Sequence, residues 1–370
     1  MRVLHAVTLH SPTHAFGGPV RVALNLAKGL KERGHEAGLL ALGDGFDSAL
    51  PTDVEGVPAR LYQARRLAPL GFSGITSPAL LGSARRLVRE ADVVHVHLAR
   101  DLVTLPVALA ALRAGRPLVL QTHGMVDPSG KALAKVLDAL AVRRLLRGAG
   151  AVLYLTEHER AGLDAVVGAP PLARAVRLVN GVPAQEARTP WDGTAPHLVY
   201  AARLQARKRP TDFVAAIPAL LAAHPDARFT VAGPDEGELG AVRALVDTLG
   251  LRDKVALPGP LSGEAMLRTL REATVYVLPA VDEPFPMSVL EALSVGTPAV
   301  VTTSNGLAKD IARAGAGRVV TTADGLAPAV GDLLDPAHHA EASRAAHALA
   351  GGTFAMDAVV DRLLTVYEGL

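Results

Sequence analysis

The residues best suited to chemistry lie in the run Asp282-Glu283-Pro284-Phe285-Pro286-Met287-Ser288-Val289-Leu290-Glu291-Ala292-Leu293, directly after the apolar stretch Val275–Leu278. A proline restricts the residue before it to extended backbone, so Pro284 and Pro286 hold the chain out of a helix until about Pro286. Proline also suits the first helical position, where its missing N–H costs nothing. The pattern predicts a helix from Met287 to about Ser294, stopping before Gly296. The N–H groups of Met287, Ser288 and Val289 then point out of the helix start, which favours an anion such as a diphosphate. Glu283 falls in the loop and Glu291 about one turn into the helix. Each carboxylate can accept from two adjacent hydroxyls, as on a ribose or a hexose. Spacing alone favours the plainer reading, an exposed loop acid and a helix surface acid.

Three other segments carry candidate chemistry. In Tyr200–Pro210, Arg203 follows a predicted strand and Lys208 precedes a predicted helix. Two such cations can clamp a diphosphate and stabilise it as it leaves; the alternative is a basic turn neutralised by surface carboxylates. In Phe16-Gly17-Gly18-Pro19 the paired glycines let backbone approach a ligand closely. The run lacks a full Gly-x-Gly-x-x-Gly pattern, so a simple turn is the competing reading. In Gln121-Thr122-His123-Gly124, His123 ends a strand and can donate to a sugar hydroxyl or a reacting phosphate. His95 and His97, two apart on a strand, share a face. A zinc site at His95, His97 and His123 would lack supporting acids, and packing is the preferred reading for the first two. No Asp-x-Asp pair occurs, so no metal and no other cofactor is expected.

These residues need elements to position them. At 370 residues, 49% hydrophobic and 20% charged, the chain can build two ordered domains. It has no cysteine, which excludes disulfides, thiolate catalysis and cysteine-held zinc and fits a reducing cytoplasm. Met1–Val7 reads as a buried strand and not as a secretory signal. No run of about 18 apolar residues is present; the longest candidate, Leu102–Leu120, is broken by Arg113 and Arg116. A net charge of +2 argues against a nucleic-acid partner. Arg65, Arg66, Arg85, Arg86 and Arg89 form either a solvated face or a patch for anionic lipid or an anionic acceptor. The expected location is the cytoplasm, including the inner face of the membrane through that patch.

Short apolar runs alternate with amphipathic stretches, which predicts an α/β chain with parallel sheets covered on both faces. The expected strands are Val3–Val7, Ala37–Leu42, Val93–Val96, Leu118–Thr122, Val152–Leu155 and Val176–Val179, then Leu198–Ala201, Phe229–Ala232, Val255–Leu257, Val275–Leu278, Ala299–Thr302 and Arg318–Val320. Expected helices include Arg21–Arg33, Asp212–Ala223 and Leu239–Thr248. Polar residues 185–196, with two prolines and a glycine, read as a linker between doubly wound domains at 1–184 and 197–353. Val359, Val360, Leu363, Leu364 and Tyr367 recur at helical spacing, so residues 354–370 should end in a docked amphipathic helix. Ligands of such sheets sit outside the carboxyl ends of the strands.

Together the segments resemble glycosyltransferase family 4, of the GT-B fold. Its Glu-x7-Glu motif is similar to Glu283–Glu291, and its Gly-Arg-Leu-x-x-x-Lys motif to Arg203-Leu204 through Lys208. Asp92–His97, His123-Gly124, Leu178–Val182, Val231–Pro234 and Gly296–Val300 follow the family as well, over essentially the whole chain. The resemblance implies two Rossmann-like domains facing a central cleft, with the C-terminal helix crossing back to the first. It implies a metal-independent, retaining transfer of a sugar from a nucleoside-diphosphate donor to a saccharide, lipid-linked or small natural-product acceptor. Arg203 and Lys208 would hold the diphosphate. Glu291 would accept from the ribose, and Glu283 would contact the transferred sugar with the Met287 and Ser288 backbone. Phe285 and Val289 would belong to the same donor-binding set. His123 would lie near the reacting sugar. Gly17 and Gly18 would admit the diphosphate, and Pro258 would border the base. The chain departs from the family at Pro286, Ala202 and Arg209, where glycine is usual, and near Gly306, where a glutamate is often found. The competing functions are a nucleotide-sugar 2-epimerase of the same architecture and a non-catalytic sugar-nucleotide binding partner. The acceptor side would be built by first-domain loops such as Asp44–Arg66 and Met125–Lys135.

Overall fold

Runs of three to nine residues rich in valine, leucine and alanine, most of them largely buried, build two separate parallel sheets in this computed structural model, which describes residues 1–12, 17–47, 49–67 and 71–370. The chain divides into two compact units, Met1–Gly181 with Met356–Leu370, and Val182–Ala355. Residues 185–196 lie in the second unit, where Arg188 donates from its backbone to Val295.

The first sheet uses β1 (Arg2–His10), β2 (Glu36–Gly43), β3 (Val57–Gln63), β4 (Val93–His97), β5 (Leu118–Gln121), β6 (Ala151–Tyr154) and β7 (Ala175–Arg177). Their order is β7-β6-β5-β4-β1-β2-β3, with Asp53–Val54 pairing antiparallel on the outer edge. The second sheet uses β8 (His197–Ala201), β9 (Arg228–Ala232), β10 (Val255–Gly259), β11 (Val275–Leu278), β12 (Ala299–Thr302) and β13 (Gly317–Val320), in the order β10-β9-β8-β11-β12-β13. Both sheets are doubly wound. Strand order reverses between β1 and β4 in one and between β8 and β11 in the other, and a crevice opens at each reversal.

All twelve expected strands are present, with ends shifted by a few residues. β3 was not expected: it lies in Asp44–Arg66, read as a loop. It runs parallel to β2, with Leu39 beside Ala59. As an outer strand it needs no long apolar run, and Pro58, Arg60 and Gln63 mask it in the sequence. The helix expected from Arg21 starts earlier. α1 spans Gly17–Glu32, with Pro19 in its first turn, where its missing N–H is harmless. Phe16 of that segment lies outside the described residues.

Three helices position the candidate residues: α2 (Glu157–Val167), α3 (Pro210–Ala223) and α4 (Met287–Ser294). The last helix, α5 (Met356–Glu368), packs on α1 within the first unit. It buries Val359, Val360, Leu363 and Tyr367, each contributing roughly 1.5–3 kcal/mol. Gly29 allows the approach, since a Cβ there would lie 2.6 Å from Val360 Cγ2. Arg33 adds ion pairs to Asp357 and Asp361.

Candidate active site

In the second unit, β8 delivers Arg203 and Lys208 and β11 delivers Glu283, so the three flank the point where strand order reverses. Lys208 closes a short 3-10 turn, Ala206–Lys208. Arg209 follows at φ 50° and ψ 52°, a left-handed conformation that costs a non-glycine residue about 1–2 kcal/mol. This is the physical reason glycine suits the position. Pro210 then opens α3.

Lys208 Nζ donates to Glu283 Oε2 in a close ion pair, with the two side chains 9% and 7% exposed. Arg207 reaches the same oxygen at 3.6 Å and donates to the Asp282 carbonyl at 2.7 Å. Burial pushes the Lys208 pKa below its ordinary value, and Glu283 opposes that shift. Each charge depends on the other, because a lone buried charge is strongly unfavourable. The Glu283 loop is fixed from behind. Gly306 N–H donates to the Glu283 carbonyl at 2.8 Å, and a Cβ on Gly306 would lie 1.8 Å from the Pro284 carbonyl oxygen. A glutamate at Gly306 is therefore excluded in this backbone.

α4 starts beside this pair. Its N-cap, Pro286, supplies no side-chain acceptor, so the first N–H groups of Met287, Ser288 and Val289 are left for water or a ligand. Tyr276 ties the helix to the sheet. Its hydroxyl donates to the Ala201 carbonyl and accepts from Ser288, both at 2.7 Å, and burial pushes its pKa up. Glu291 is half-buried one turn into α4.

The other candidates of this unit are engaged in different contacts or lie further off. Arg203 is 39% exposed and places Nη1 3.1 Å from both oxygens of Glu236. Phe285 is buried edge-on against Phe354 at 5.9 Å, a core contact. Pro258 is exposed on β10, at the outer edge of the sheet.

In the first unit, parallel register sets His5 of β1 beside His95 of β4. His97 lies two residues on, on the same face. His97 Nε2 is 3.3 Å from His5 Nδ1, and His97 Nδ1 is 2.7 Å from His123 Nε2. The His95 and His97 rings stack at 4.8 Å, and His97 and His123 at 5.0 Å. His95 Nδ1 meets the Tyr367 hydroxyl of α5 at 2.6 Å. Burial lowers the pKa of His5 and of His123 to about 3, and pushes His95 and His97 well below their ordinary value. His123 itself is half-buried at the carboxyl end of β5.

His123 and Gly124 both have positive φ, 51° and 72°. The carboxylate of Glu159 holds this strained turn. It accepts from Thr122 Oγ1 and the Gly124 N–H at 2.6 Å and from the Leu155 N–H at 2.7 Å. Glu159 is the third residue of α2, and its own N–H donates to Thr156. Thr156-x-x-Glu159 is a recognisable helix-start pattern, but it does not say where the carboxylate goes. Gly18 is exposed and a Cβ there would meet nothing within 4 Å among the described residues, so none of these neighbours demands glycine.

Ligand nitrogens of His5, His95 and His97 lie within 4.8 Å of one another and are the one group among the described residues with the ligand types for a metal ion. All three are fully buried and the group has no carboxylate. A divalent cation there would lack counter-charge in a dry setting, and the His5–His97 contact already engages two of the nitrogens.

Residues 17–181 match the glycosyl transferase 4-like domain, and residues 182–346 match the glycosyl transferases group 1. The chain is 30% identical over 289 residues to a glycogen synthase of Mycobacterium tuberculosis, covering 75% of this chain and 68% of that one. It is 28% identical over 310 residues to the GDP-mannose:cellobiosyl-diphosphopolyprenol alpha-mannosyltransferase of Xanthomonas oryzae, covering 80% and 77%. Among solved structures it is similar to Anabaena HepE in complex with UDP and glucose, with a TM-score of 0.79, 18% identity and full coverage of both chains. The fold is that of the GT-B glycosyltransferases. The relatives named are transferases, which leaves the 2-epimerase reading without support.

Proposed function

The chain belongs to the glycosyl transferases of group 1, and from that premise we propose that it moves a sugar from a nucleoside-diphosphate donor to a hydroxyl acceptor with retention of anomeric configuration. The observation that carries this reading is the buried Lys208–Glu283 pair at the second sheet's reversal point, beside the uncapped start of α4. Lys208 and Arg203 neutralise the diphosphate, and the N–H groups of Met287, Ser288 and Val289 complete its cradle. Cations engage Glu283 through Oε2, so its other oxygen accepts from the sugar hydroxyls. Glu291 accepts from the ribose. His123 meets the reacting sugar, and Gly17 and Gly18 admit the diphosphate.

The acceptor oxygen bonds to the anomeric carbon as its bond to the phosphate oxygen breaks, and the acceptor proton passes to that leaving oxygen. No protein nucleophile is needed. The protein contributes placement and charge stabilisation, with no metal ion. UDP and GDP are the nucleotides to test first, from the HepE complex and the name of the Xanthomonas enzyme. That name also supports a lipid-linked saccharide acceptor. No helix of the described residues is long and apolar enough to cross a membrane. The proposed contact with a membrane face is therefore peripheral, through the arginines at 65, 66, 85, 86 and 89, and sedimentation with anionic vesicles tests it.

A thermal-shift panel of nucleotide sugars tests the core claim. A donor at a hundred times its Kd adds about 2.7 kcal/mol of stability, and a panel with no stabilising donor refutes it. Incubation without acceptor should yield no epimer. Transfer should survive dialysis against a chelator.

A further inference from the structure

The buried histidines behind His123 do more than fill the first sheet. We propose that His97 and His5 are positioning residues that hold His123 in the tautomer with its proton on Nδ1, so that it meets the substrate as a hydrogen-bond donor. The proposal rests on the reading above that His123 faces the sugar.

Three rings form a continuous chain of contacts. His5 Nδ1 meets His97 Nε2 at 3.3 Å, and His97 Nδ1 meets His123 Nε2 at 2.7 Å. A neutral imidazole has one N–H and one lone pair. Both contacts are hydrogen bonds only when all three protons point the same way along the chain. Two polarities satisfy this, and they differ at the ends. At the inner end, His5 Nε2 is buried and has no hydrogen-bond partner among the described residues. If the chain ran inward, a buried N–H would face no acceptor there, which folded proteins avoid more strictly than a stranded acceptor. The chain therefore runs outward. His5 donates from Nδ1 to His97, and His97 donates from Nδ1 to His123. His123 Nε2 accepts, and its proton resides on Nδ1.

The surroundings keep the rings uncharged. Both contacts of the ladder are between imidazoles, the neighbouring His95 meets the Tyr367 hydroxyl, and none of the four histidines forms an ion pair among the described residues. The two stacked contacts, with interplanar angles of 2° and 6°, fix the ring orientations. The Glu159 carboxylate fixes the backbone on which His123 rides. A donor at Nδ1 suits a sugar hydroxyl or a phosphate oxygen; it does not suit a base that removes the acceptor proton.

The test uses the full-length chain with histidine-selective ¹⁵N labelling and no substrate, so its outcome is independent of whether the chain transfers sugar. Two-bond ¹H–¹⁵N correlations should show His123 with a protonated Nδ1 and a bare Nε2. His97→Phe should leave His123 averaging between tautomers, and should lower kcat by about 5–10-fold, the scale of one hydrogen bond, with KM for the donor little changed. His97→Asn places an amide N–H where Nδ1 stood and should restore both the tautomer and most of kcat. A wild-type spectrum with the proton on Nε2, or averaged between nitrogens, overturns the proposal even if the variants fail to fold. So does a His97→Phe variant whose His123 tautomer is unchanged. Failure of the transferase reading would appear separately, as wild-type protein that turns over no donor.

Discussion

Replacing Lys208 with alanine should separate what the buried pair does for the fold from what it does for the reaction. The Lys208 and Glu283 side chains are 9% and 7% exposed, so truncation strands a carboxylate in a poorly solvated loop. Breaking such a pair costs about 3–5 kcal/mol. Arg207 already sits 3.6 Å from the same oxygen and is 39% exposed, so it can swing in and recover about 1 kcal/mol. The expected net loss is about 2–4 kcal/mol, or a Tm drop of about 5–15 °C for a unit of this size. If Lys208 stabilises the leaving diphosphate, kcat/KM falls by a further factor of about 30–150, equivalent to about 2–3 kcal/mol. The double variant Lys208→Met with Glu283→Gln removes both charges at similar volume and should recover most of the melting temperature. It should recover none of the activity. Release of nucleoside diphosphate, followed with donor varied and well below the lower Tm, reads the kinetic term, and calorimetry reads the stability term. The reasoning is refuted if Lys208→Ala keeps kcat/KM within about threefold of wild type, or if the neutral double variant regains activity along with stability.

Glu159→Ala should destabilise the chain by about 2–4 kcal/mol, because the Thr122 hydroxyl and the Gly124 and Leu155 N–H groups lose their acceptor; denaturant melts measure this, and kcat should fall as the His123 turn relaxes. Stability should decline in acid from the first unit. The His5 pKa in the fold, about 3, lies below the roughly 6.5 of an unfolded histidine, and His95 and His97 shift the same way. Protons therefore bind the unfolded chain preferentially: the stabilisation is complete above about pH 6.5 and is lost as pH falls toward 3, by up to about 2 kcal/mol per such histidine at pH 5. Melts from pH 7.5 to 5 should show the fall, and His5→Phe should flatten it. Arg209→Gly should raise stability by about 0.5–1 kcal/mol, because relief of the φ 50° strain outweighs the added chain entropy and the loss of the exposed Asp212 pair; urea titration checks the sign.

The local code was largely readable along the chain. Twelve strands follow from apolar runs ended by glycine, proline or charge. α4 follows from Pro286 and the apolar spacing after it, and its bounds, Met287–Ser294, are those the pattern predicts. These features depend on backbone preferences and on side chains a few residues apart. β3 is not legible in the sequence because an outer strand needs no apolar run, and its polar alternation is indistinguishable from a loop until β2 lies beside it. The site shows the same division more sharply. Residue type and spacing picked out Lys208, Glu283 and His123. That Lys208 grips Glu283, 75 positions away, depends on two strands from opposite windings of one sheet meeting at its reversal point. The role of Glu159 beneath His123 depends on the next strand and helix folding back against the turn. The ladder from His5 to His123 depends on parallel register, which adds His5 to the histidines at 95, 97 and 123 that the sequence brings together only as an unsupported metal site. Chain-local preferences choose the elements. The pairings between distant residues, and the charge states they impose, are settled only when strand order brings those residues within hydrogen-bond reach.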